Sequence, residues 1–232
     1  NMKVHVLRDM GGVRPLYEST YNNSSTLNYC FSSQLCGIPD LDKVYTCNQL
    51  RPYSYKTFDF YKTNVFCEHR VFSLRDIPIT IYDEEEALNK IYDVFTKCVE
   101  QRMASDRDIM FMLSGGLDSS LVASIVQKEM QKIGKSLNTY SIGFEGSPDL
   151  KYAKIVADYI GSNHHEVNLD MKEIENRLPE IIRQLETWDT TTIRASIGMF
   201  FVSEYIHKNS DDVVIFSGEG SDELCQGYLY FH

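Results

Sequence analysis

The sequence predicts an α/β protein with a doubly wound parallel sheet, preceded by an antiparallel β-rich region. Residues 1–75 carry short alternating runs with almost no helical periodicity. From Asp83 onward, amphipathic helical segments alternate with short apolar strands. Two of those strands run directly into loops rich in Gly and Ser. We therefore expect two domains, residues 1–75 and residues 76–232.

The amino-terminal region is predicted to be antiparallel because its short alternating runs are separated by Gly, Asn, Asp or Pro. The expected strands are Lys3–Leu7, Arg14–Tyr17, Leu27–Ser32 and Tyr53–Tyr61.

The carboxy-terminal region opens with a helix over Asp83–Arg102, whose apolar residues recur at helical spacing from Ala87 to Val99. The strands expected after it are 109–113, 137–143, 165–169 and 212–217, and the helices are 119–133, 149–161, near 172–187 and 193–208. Parallel strands bind ligands at their carboxyl ends. The loops 114–120, 143–148 and 217–223 should therefore lie together.

Composition excludes several classes of protein. The net charge of −10 argues against a nucleic-acid surface. No apolar stretch approaches the roughly 20 residues of a membrane span, so no membrane contact is expected. The six cysteines contain no C-x-x-C pair, which favours free thiols in a reducing, cytoplasmic compartment. Because the first residue is not Met and no closing element follows the last strand, we expect an internal piece of a longer protein.

The most informative loop is Ser-Gly-Gly-Leu-Asp-Ser-Ser at 114–120, between a buried strand and a helix. This arrangement aims free backbone N–H groups and the positive helix end at one point, which suits a phosphate. The hydroxyls of Ser114, Ser119 and Ser120 add donors. Asp118 would repel phosphate oxygens unless a cation lay between them, so it implies Mg²⁺. The loop is neither a Walker A motif nor G-x-G-x-x-G, since no Lys follows its glycines.

Two further segments carry candidate chemistry. Ser217–Glu223 is a second Gly/Ser loop after a strand and holds three carboxylates within five residues, a costly arrangement without a cation or a proton to transfer. In segment 186–196, Thr191 or Thr192 is expected to cap a helix. Arg194 would then lie in the first turn, where the helix dipole disfavours it, and an anionic ligand would resolve that conflict. His164 and His165 have no third ligand in register and are interpreted as structural.

Four segments together resemble the synthetase domain of the glutamine-hydrolysing asparagine synthetases, a family with an ATP pyrophosphatase (adenine nucleotide α-hydrolase-like) fold. They are SGGLDSS (114–120), YSIGFEGSPDLKYAKIVADYIGSNHHEV (140–167), ETWDTTTIRAS (186–196) and SGEGSDELCQGYLYFH (217–232). Two amino-terminal segments, RDMGGVRPLYES (8–19) and FSSQLCGI (31–38), resemble the end of that family's glutaminase domain. Where the family has Phe-Gly-Gly, this chain has Cys225-Gln226-Gly227.

The resemblance implies a ligase that uses Mg-ATP to adenylate the β-carboxylate of aspartate, after which ammonia derived from glutamine displaces AMP. Leu113 and Ile142 would flank the adenosine, and Ser217 and Gly218 would complete the nucleotide site. The pyrophosphate and Mg²⁺ would be held by Ser114, Gly115, Gly116, Asp118, Ser119 and Ser120. Glu219 would serve the aspartyl-AMP step and take a proton from ammonia.

By the same resemblance, Asp222 would assist the metal or the amino group of aspartate. Thr191, Thr192 and Arg194 would bind the carboxylates of aspartate or the phosphoryl group. The glutaminase nucleophile, an amino-terminal Cys, would lie upstream of residue 1, and a homodimer is expected.

Two alternatives stay open from the sequence. One is another amide-forming relative, such as a β-lactam-synthetase-like enzyme, although the segments TTTIRAS and SGEGSDE favour aspartate. The other is a non-catalytic homologue that keeps the fold as a binding module. The presence of Asp118, Glu219, Asp222 and Arg194 argues against such a loss of catalysis.

Overall fold

The computed structural model describes residues 3–23, 26–38, 44–59, 66–70, 78, 80–225 and 227–228. The chain divides into two compact units, residues 1–80 and residues 81–232.

The first unit contains two antiparallel three-stranded sheets, with strand orders β1-β5-β6 and β3-β2-β4. Its elements are β1 (Lys3–Leu7), β2 (Tyr17–Asn23), β3 (Thr26–Ser32), a 3₁₀ turn (Leu35–Gly37), β4 (Val44–Gln49), β5 (Ser54–Asp59) and β6 (Phe66–Arg70). The antiparallel prediction is therefore confirmed, and β1 has its predicted bounds. Strands β2, β4 and β6 were not predicted as such.

Two predicted strands of this unit differ from the structure. The prediction of a strand over Arg14–Tyr17 is wrong, because the strand begins at Tyr17. Pro15 has no N–H to give to a strand ladder, and the Arg14 carbonyl accepts a hydrogen bond from Arg8 Nε at 3.1 Å. Tyr53 lies outside β5 because its φ of 56° is left-handed. The predicted end of that strand, residues 60 and 61, lies outside the described residues.

The second unit is an α/β layer structure built on one parallel sheet of order β10-β7-β8-β9. Its strands are β7 (Ile109–Met112), β8 (Asn138–Gly143), β9 (Asn163–Asn168) and β10 (Val214–Phe216). Its helices are α1 (Glu84–Arg102), α2 (Leu117–Lys132), α3 (Pro148–Ile160), α4 (Met171–Leu185), α5 (Thr190–Asn209) and α6 (Ser221–Cys225). The predicted fold class is confirmed, and only the short α6 was not foreseen.

The strand order places a topological switch point between β7 and β10. From β7 the chain winds outward to β8 and β9, then returns to add β10 on the other side of β7. The loops that leave β7 and β10 therefore start side by side at the carboxyl edge of the sheet, where the winding direction reverses, and a crevice opens beside them. Ligands of doubly wound sheets bind in such crevices.

Alternate side chains of β7 enter two separate cores. Phe111 and Leu113 pack with α1, α2 and α3, around Val126 and Ala153. Met110 instead packs with Val202, Ile206 and other residues of α5 and β8. Phe111 and Met110 are fully buried, so the sheet has apolar contacts on both faces. Helix α4 extends the second layer by packing on α5.

Acidic and hydroxyl side chains cap four helices at their amino ends. Asp83, Ser147, Asp170 and Asp189 each accept a hydrogen bond from the backbone N–H three residues later, at α1, α3, α4 and α5. The prediction that Thr191 or Thr192 caps α5 is wrong, because Asp189 receives both the N–H and the hydroxyl of Thr192. Helix α5 therefore starts three residues before the predicted position.

Helix α1 has its predicted length but not its predicted burial. Phe95 and Val99 of its apolar face reach the core. Leu88, Ile91 and Val94, from the same predicted face, are 59%, 64% and 54% exposed. Within the described ranges, no helix combines the length and the apolarity needed to cross a bilayer.

A buried amide ties three elements of this unit together. Gln127 of α2 is 1% exposed. Its Oε1 accepts a hydrogen bond from the Leu137 N–H before β8, and its Nε2 donates to the Gly161 carbonyl after α3, both at 2.8 Å. One side chain thus satisfies two backbone groups that are removed from water.

Replacing this amide should destabilise the fold strongly. We expect Gln127→Leu to lower the free energy of unfolding by roughly 2–4 kcal/mol, because two buried backbone groups lose their partner. Urea denaturation followed by circular dichroism measures the change. The exposed neighbour Lys128 provides the control, and Lys128→Met should shift the unfolding free energy by no more than about 0.5 kcal/mol. Equal effects of the two variants would show that the amide does not stabilise the fold.

The side chain of His164 is inserted between two hydroxyls of the adjacent strand. Its Nδ1 lies 2.9 Å from Thr139 Oγ1, and its Nε2 lies 3.0 Å from Ser141 Oγ. Thr139 Oγ1 also contacts Ser162 Oγ at 2.9 Å. Burial lowers the pKa of His164 below its ordinary value of 6.5, against the opposing effect of Glu166. His164 therefore links β8 and β9 as a neutral ring, and it is structural as predicted.

Acidification should weaken the fold through this ring. Between the lowered pKa of folded His164 and 6.5, the unfolded chain binds more protons, so stability rises with pH across that window and is lost as the pH falls through it. We expect the urea midpoint to drop as the pH falls from about 7 through this window, and to drop less in His164→Gln. An identical pH dependence in that variant would show that other groups cause the loss.

Candidate active site

A cavity of about 300 Å³ opens at the switch point of the parallel sheet. Its walls come from the carboxyl ends of β7, β8 and β10, the loops that follow β7 and β10, the starts of α2, α3 and α6, and the middle of α5. The loop after β8, residues 143–148, was expected beside the other two loops but does not line the cavity. Ten of the sequence-predicted site residues line it, namely Leu113, Ser114, Gly116, Asp118, Ser119, Ile142, Ser217, Gly218, Glu219 and Asp222. Gly115, Ser120, Thr191, Thr192 and Arg194 do not.

The loop after β7 is shaped by Gly115. Its φ of +79° is in the left-handed region, and a Cβ there would lie 2.6 Å from the Tyr152 backbone carbon of α3. No other residue type fits both the conformation and the space. The turn delivers the chain into α2 with Gly116 at the N-cap, where no side chain caps the helix. The first N–H groups of α2 are therefore available to a ligand in the cavity.

The serine hydroxyls of this loop bind within the loop. Ser114 Oγ and Ser119 Oγ lie 2.8 Å apart, and the Ser120 hydroxyl donates to the Gly116 carbonyl at 2.6 Å. The Ser114 N–H donates to Ser119 Oγ at 3.3 Å. These bonds fix the turn and engage the hydroxyls within the loop. Backbone N–H groups are therefore better placed than the hydroxyls to donate to an anion.

The loop after β10 is pressed against the start of α2. A Cβ on Gly218 would lie 2.6 Å from the Ser119 backbone nitrogen and 3.1 Å from the Asp118 carbonyl carbon. Only glycine lets the two backbones approach this closely. The loop is also tied internally, because the Ser221 hydroxyl donates to the Gly218 carbonyl at 3.1 Å. Asp118 of α2 and Glu219 of the loop after β10 therefore line the same cavity.

The charge of the cavity is wholly acidic among its described lining residues. Five carboxylates line it, Asp118, Asp149, Glu219, Asp222 and Glu223, and no Lys or Arg does. The pKa of Glu223 is lowered by a hydrogen bond from the Tyr228 hydroxyl, 2.6 Å away. Bringing an anionic ligand here requires a cation.

The carboxylates of the cavity fit Mg²⁺ only if phosphate oxygens of a ligand complete its coordination. In the part of the chain that the structure describes, no three His, Cys, Asp or Glu side chains converge closely enough to hold a metal by themselves. Mg²⁺ is commonly bound by one or two carboxylates together with substrate phosphates and water. Asp118 and Asp222 suit that arrangement, since both are carboxylates lining the cavity beside the amino end of α2.

Apolar side chains line the part of the cavity that faces α5. They are Met112, Tyr140, Ile142, Met199 and Val202. Only Ile142 of this group was predicted. Met199 and Val202 were not predicted as site residues, because packing of the helix alone explains apolar residues on α5. Tyr228 and Asp149 were also missed, since no strand-and-loop pattern marks either residue.

The first turns of α5 project beyond the carboxyl edge of the sheet. Tyr140 packs with Val202 and Ile206, whereas Ile142 lies beside Gly198, so α5 runs antiparallel to β8. Residues 190–197 therefore lie at and beyond the edge where the cavity opens.

Helical geometry separates the three predicted residues of this segment. At about 100° per residue, Thr192 lies within about 20° of Met199 and about 10 Å further out along the axis. Thr191 is similarly aligned with Val202, so both threonines are on the cavity side of α5. Around the helix axis, Arg194 lies about 140° from Met199 and about 80° from Val202, and it is exposed. It is the fifth residue of α5, so the prediction that it lies in the first turn is wrong.

Comparison with known proteins agrees with this geometry. The family profile described as asparagine synthase matches residues 90–232. The asparagine synthetases (glutamine-hydrolysing) of Homo sapiens, Rattus norvegicus and Gallus gallus are each 41% identical to this chain. Each alignment covers 100% of this chain and 44% of the relative, so the chain spans less than half of the length of these curated relatives.

Two solved structures show a weaker likeness. An NH3-dependent NAD synthetase from Campylobacter jejuni aligns over 63% of this chain and 61% of its own, with TM-score 0.40 and 19% identity. An NAD+ synthetase from Burkholderia pseudomallei aligns over 63% and 57%, with TM-score 0.40 and 12% identity. The profile match over residues 90–232, more than half of the sequence, is decisive. The chain belongs to the asparagine synthase family.

Proposed function

We propose that this chain carries the ATP-dependent half of a glutamine-hydrolysing asparagine synthetase. In the first step, a β-carboxylate oxygen of aspartate attacks the α-phosphorus of ATP, giving β-aspartyl-AMP and pyrophosphate. In the second, ammonia attacks the acyl carbon and AMP leaves, giving asparagine. The supporting observation is that the loops after β7 and β10 meet at Gly218 and line one cavity at the switch point.

The nucleotide is proposed to bind across this crevice. Leu113 and Ile142 would flank the adenosine, and the apolar wall formed by Met112, Met199 and Val202 suits a flat base. Ser217 and Gly218 would contact the ribose side. The pyrophosphate would lie on the N–H groups at the start of α2, inside the turn formed by Ser114, Gly115, Gly116, Ser119 and Ser120.

Asp118 and Asp222 are proposed to hold Mg²⁺ together with the phosphates. The ion would neutralise charge between those carboxylates and the triphosphate, which the acidic lining of the cavity otherwise repels. Glu219 is exposed beside both and would accept the proton that ammonia loses when its nitrogen bonds to the acyl carbon. Thr191, Thr192 and Arg194 would bind the carboxylates of aspartate at the open end of the cavity.

Residues 1–75 would be the end of a class II glutaminase domain that supplies ammonia, and residues 76–232 the first part of the synthetase domain. The homodimer is proposed from the family resemblance. The cytoplasmic location is supported by the absence of disulfides among the described cysteines. A β-lactam-synthetase-like activity is not favoured, because relatives matched over the full chain are asparagine synthetases.

The metal role predicts a loss of nucleotide chemistry. In the full-length protein, Asp118→Ala should reduce aspartate-dependent ATP–pyrophosphate exchange at least about a hundredfold, because the carboxylate acts through the cation and not through packing. The matched control is Asp158→Ala on α3, whose exposed pair with Lys154 contributes little. Undiminished exchange in Asp118→Ala would remove this residue from the site, whereas absent exchange in the parent protein would refute the proposed activity.

The close approach of the two loops predicts opposite effects of two glycine substitutions. Gly218→Ala should separate the loops and abolish Mg-ATP binding, measured by calorimetry, because its Cβ would lie 2.6 Å from the Ser119 backbone nitrogen. Gly198 lies within α5, and a Cβ there would lie 3.4 Å from Ile142 Cγ2 of β8, an ordinary van der Waals distance. Gly198→Ala should keep ATP binding and raise the unfolding free energy by about 0.5–1 kcal/mol. Normal ATP affinity in Gly218→Ala would contradict the shared crevice.

The substrate role of Arg194 predicts a selective kinetic defect. Arg194→Leu should raise the apparent KM for aspartate roughly tenfold to a hundredfold, as expected for a lost charged contact, and change that for ATP far less. Steady-state kinetics with each substrate varied in turn measures this split. Equal losses would place Arg194 on the phosphates, and a large stability loss without a kinetic change would make it structural.

A further inference from the structure

One of the five carboxylates that line the cavity at the switch point comes from a different part of the fold than the other four. Those four belong to the start of α2 and to the segment that follows β10, namely Asp118, Glu219, Asp222 and Glu223. Asp149 comes instead from the first turn of α3, which follows β8. Strands β8 and β10 pair with opposite sides of β7 and are therefore about 9–10 Å apart. Asp149 thus enters the cavity from the side away from Asp222.

Close backbone contacts fix the amino end of α3 between the ends of β7 and β8. A Cβ on Gly115 would lie 2.6 Å from the Tyr152 backbone carbon, so the loop after β7 rests directly on α3. A Cβ on Gly143, the last residue of β8, would lie 2.5 Å from Ser147 Oγ. Asp149 is three residues before Tyr152, which is about one helical turn nearer the amino end. Its backbone is therefore held beside the loop that is proposed to bind the phosphates.

The Asp149 carboxylate accepts no hydrogen bond from the residues that the structure describes, and none of them forms an ion pair with it. Ser147, and not Asp149, accepts the backbone N–H that caps α3. The described lining of the cavity also includes no Lys or Arg that could neutralise the charge of Asp149. Both oxygens of this exposed carboxylate can therefore accept hydrogen bonds from a ligand.

We propose that Asp149 accepts hydrogen bonds from the 2′- and 3′-hydroxyls of ATP and thereby selects ribonucleotides over deoxynucleotides. This inference rests on the proposed function, in which Leu113 and Ile142 flank the adenosine. Ile142 belongs to β8, the strand that leads into α3. Two adjacent ribose hydroxyls match the two oxygens of one carboxylate. In dinucleotide-binding α/β sheets, an acidic side chain binds a ribose hydroxyl in the same way.

The position of Asp149 favours the ribose over the other groups of Mg-ATP that a carboxylate can bind. The amine of adenine is on the edge of the base farthest from the phosphates, whereas the ribose is joined to them directly. Asp149 lies about one turn of α3 from the contact with Gly115, beside the proposed phosphate loop. The Mg²⁺ proposed at Asp118 and Asp222 lies toward α2 and β10. Asp149 is therefore a specificity-determining residue for the sugar and not a ligand of that metal.

Deoxynucleotides test this role through binding alone. In the full-length protein with Mg²⁺, calorimetry should give Kd values for 2′-deoxy-ATP and 3′-deoxy-ATP roughly tenfold to a hundredfold higher than that for ATP. This is the loss expected when a hydrogen bond to a charged acceptor is removed. In Asp149→Ala the three Kd values should become nearly equal, because the acceptor is absent for all three nucleotides. The ratio of Kd values is the readout, since a loss of stability alone would not change it.

Glu145→Ala is the matched control. Glu145 is an exposed carboxylate four residues before Asp149 and outside the cavity lining, so this variant should keep the full preference for ATP. A preference for ATP that persists in Asp149→Ala would overturn the inference, as would a parent protein that binds ATP and both deoxynucleotides equally. Either result leaves the proposed function intact. A parent protein that binds no Mg-ATP would instead refute the proposed nucleotide site, and this inference with it.

Two further measurements distinguish the other partners of Asp149. Inosine triphosphate replaces the amine of adenine by an oxygen. If Asp149→Ala abolishes the discrimination between ATP and inosine triphosphate and keeps that against deoxynucleotides, Asp149 contacts the base and the inference is wrong. If the variant keeps all nucleotide preferences but needs more Mg²⁺ to bind ATP, Asp149 belongs to the metal site and the inference is equally wrong.

Discussion

The contact between Gly218 and the backbone of Ser119 is the constraint on which the site depends. It brings the loop after β10 against the start of α2, although these segments lie about a hundred residues apart in the chain. The parallel sheet makes the approach available, since β10 pairs directly with β7. Hydrogen bonds of the serine hydroxyls in the loop after β7 then fix the orientation of its N–H groups. Asp118 and Glu219 share one cavity because Gly218 carries no side chain at the crossing.

Much of this architecture can be predicted from the sequence because its signals are local. Apolar strands followed by Gly/Ser loops identify β7, β10 and the cavity between them, and helical periodicity identifies α1 to α5. The residues that cap the helices were harder to predict from the sequence. Asp189, and not a threonine, caps α5, since its carboxylate accepts both the N–H and the hydroxyl of Thr192. The mixed pattern of residues 14–23 likewise concealed where β2 begins.

The sequence does not predict the surroundings of residues whose pattern is already explained by packing in the core. Met199 and Val202 are core residues of α5 by periodicity, and only the packing of α5 on β8 shows that they also line the cavity. The exposed side of α1 is the reverse case. Its apolar spacing predicts burial, yet half of that face has no partner among the described residues, because burial depends on what lies opposite and not on spacing.

The hydroxyl chain around His164 has a consequence for observation by spectroscopy. Thr139 and Ser141 are 0% and 5% exposed, and each hydroxyl contacts an imidazole nitrogen. Hydroxyl protons on the surface exchange with water too fast to give separate resonances, but buried, hydrogen-bonded ones persist. Strands β8 and β9 therefore hold a natural reporter at their shared ladder. Its signals, correlated to the ring of His164, would follow the opening of the sheet beside the cavity without any added label.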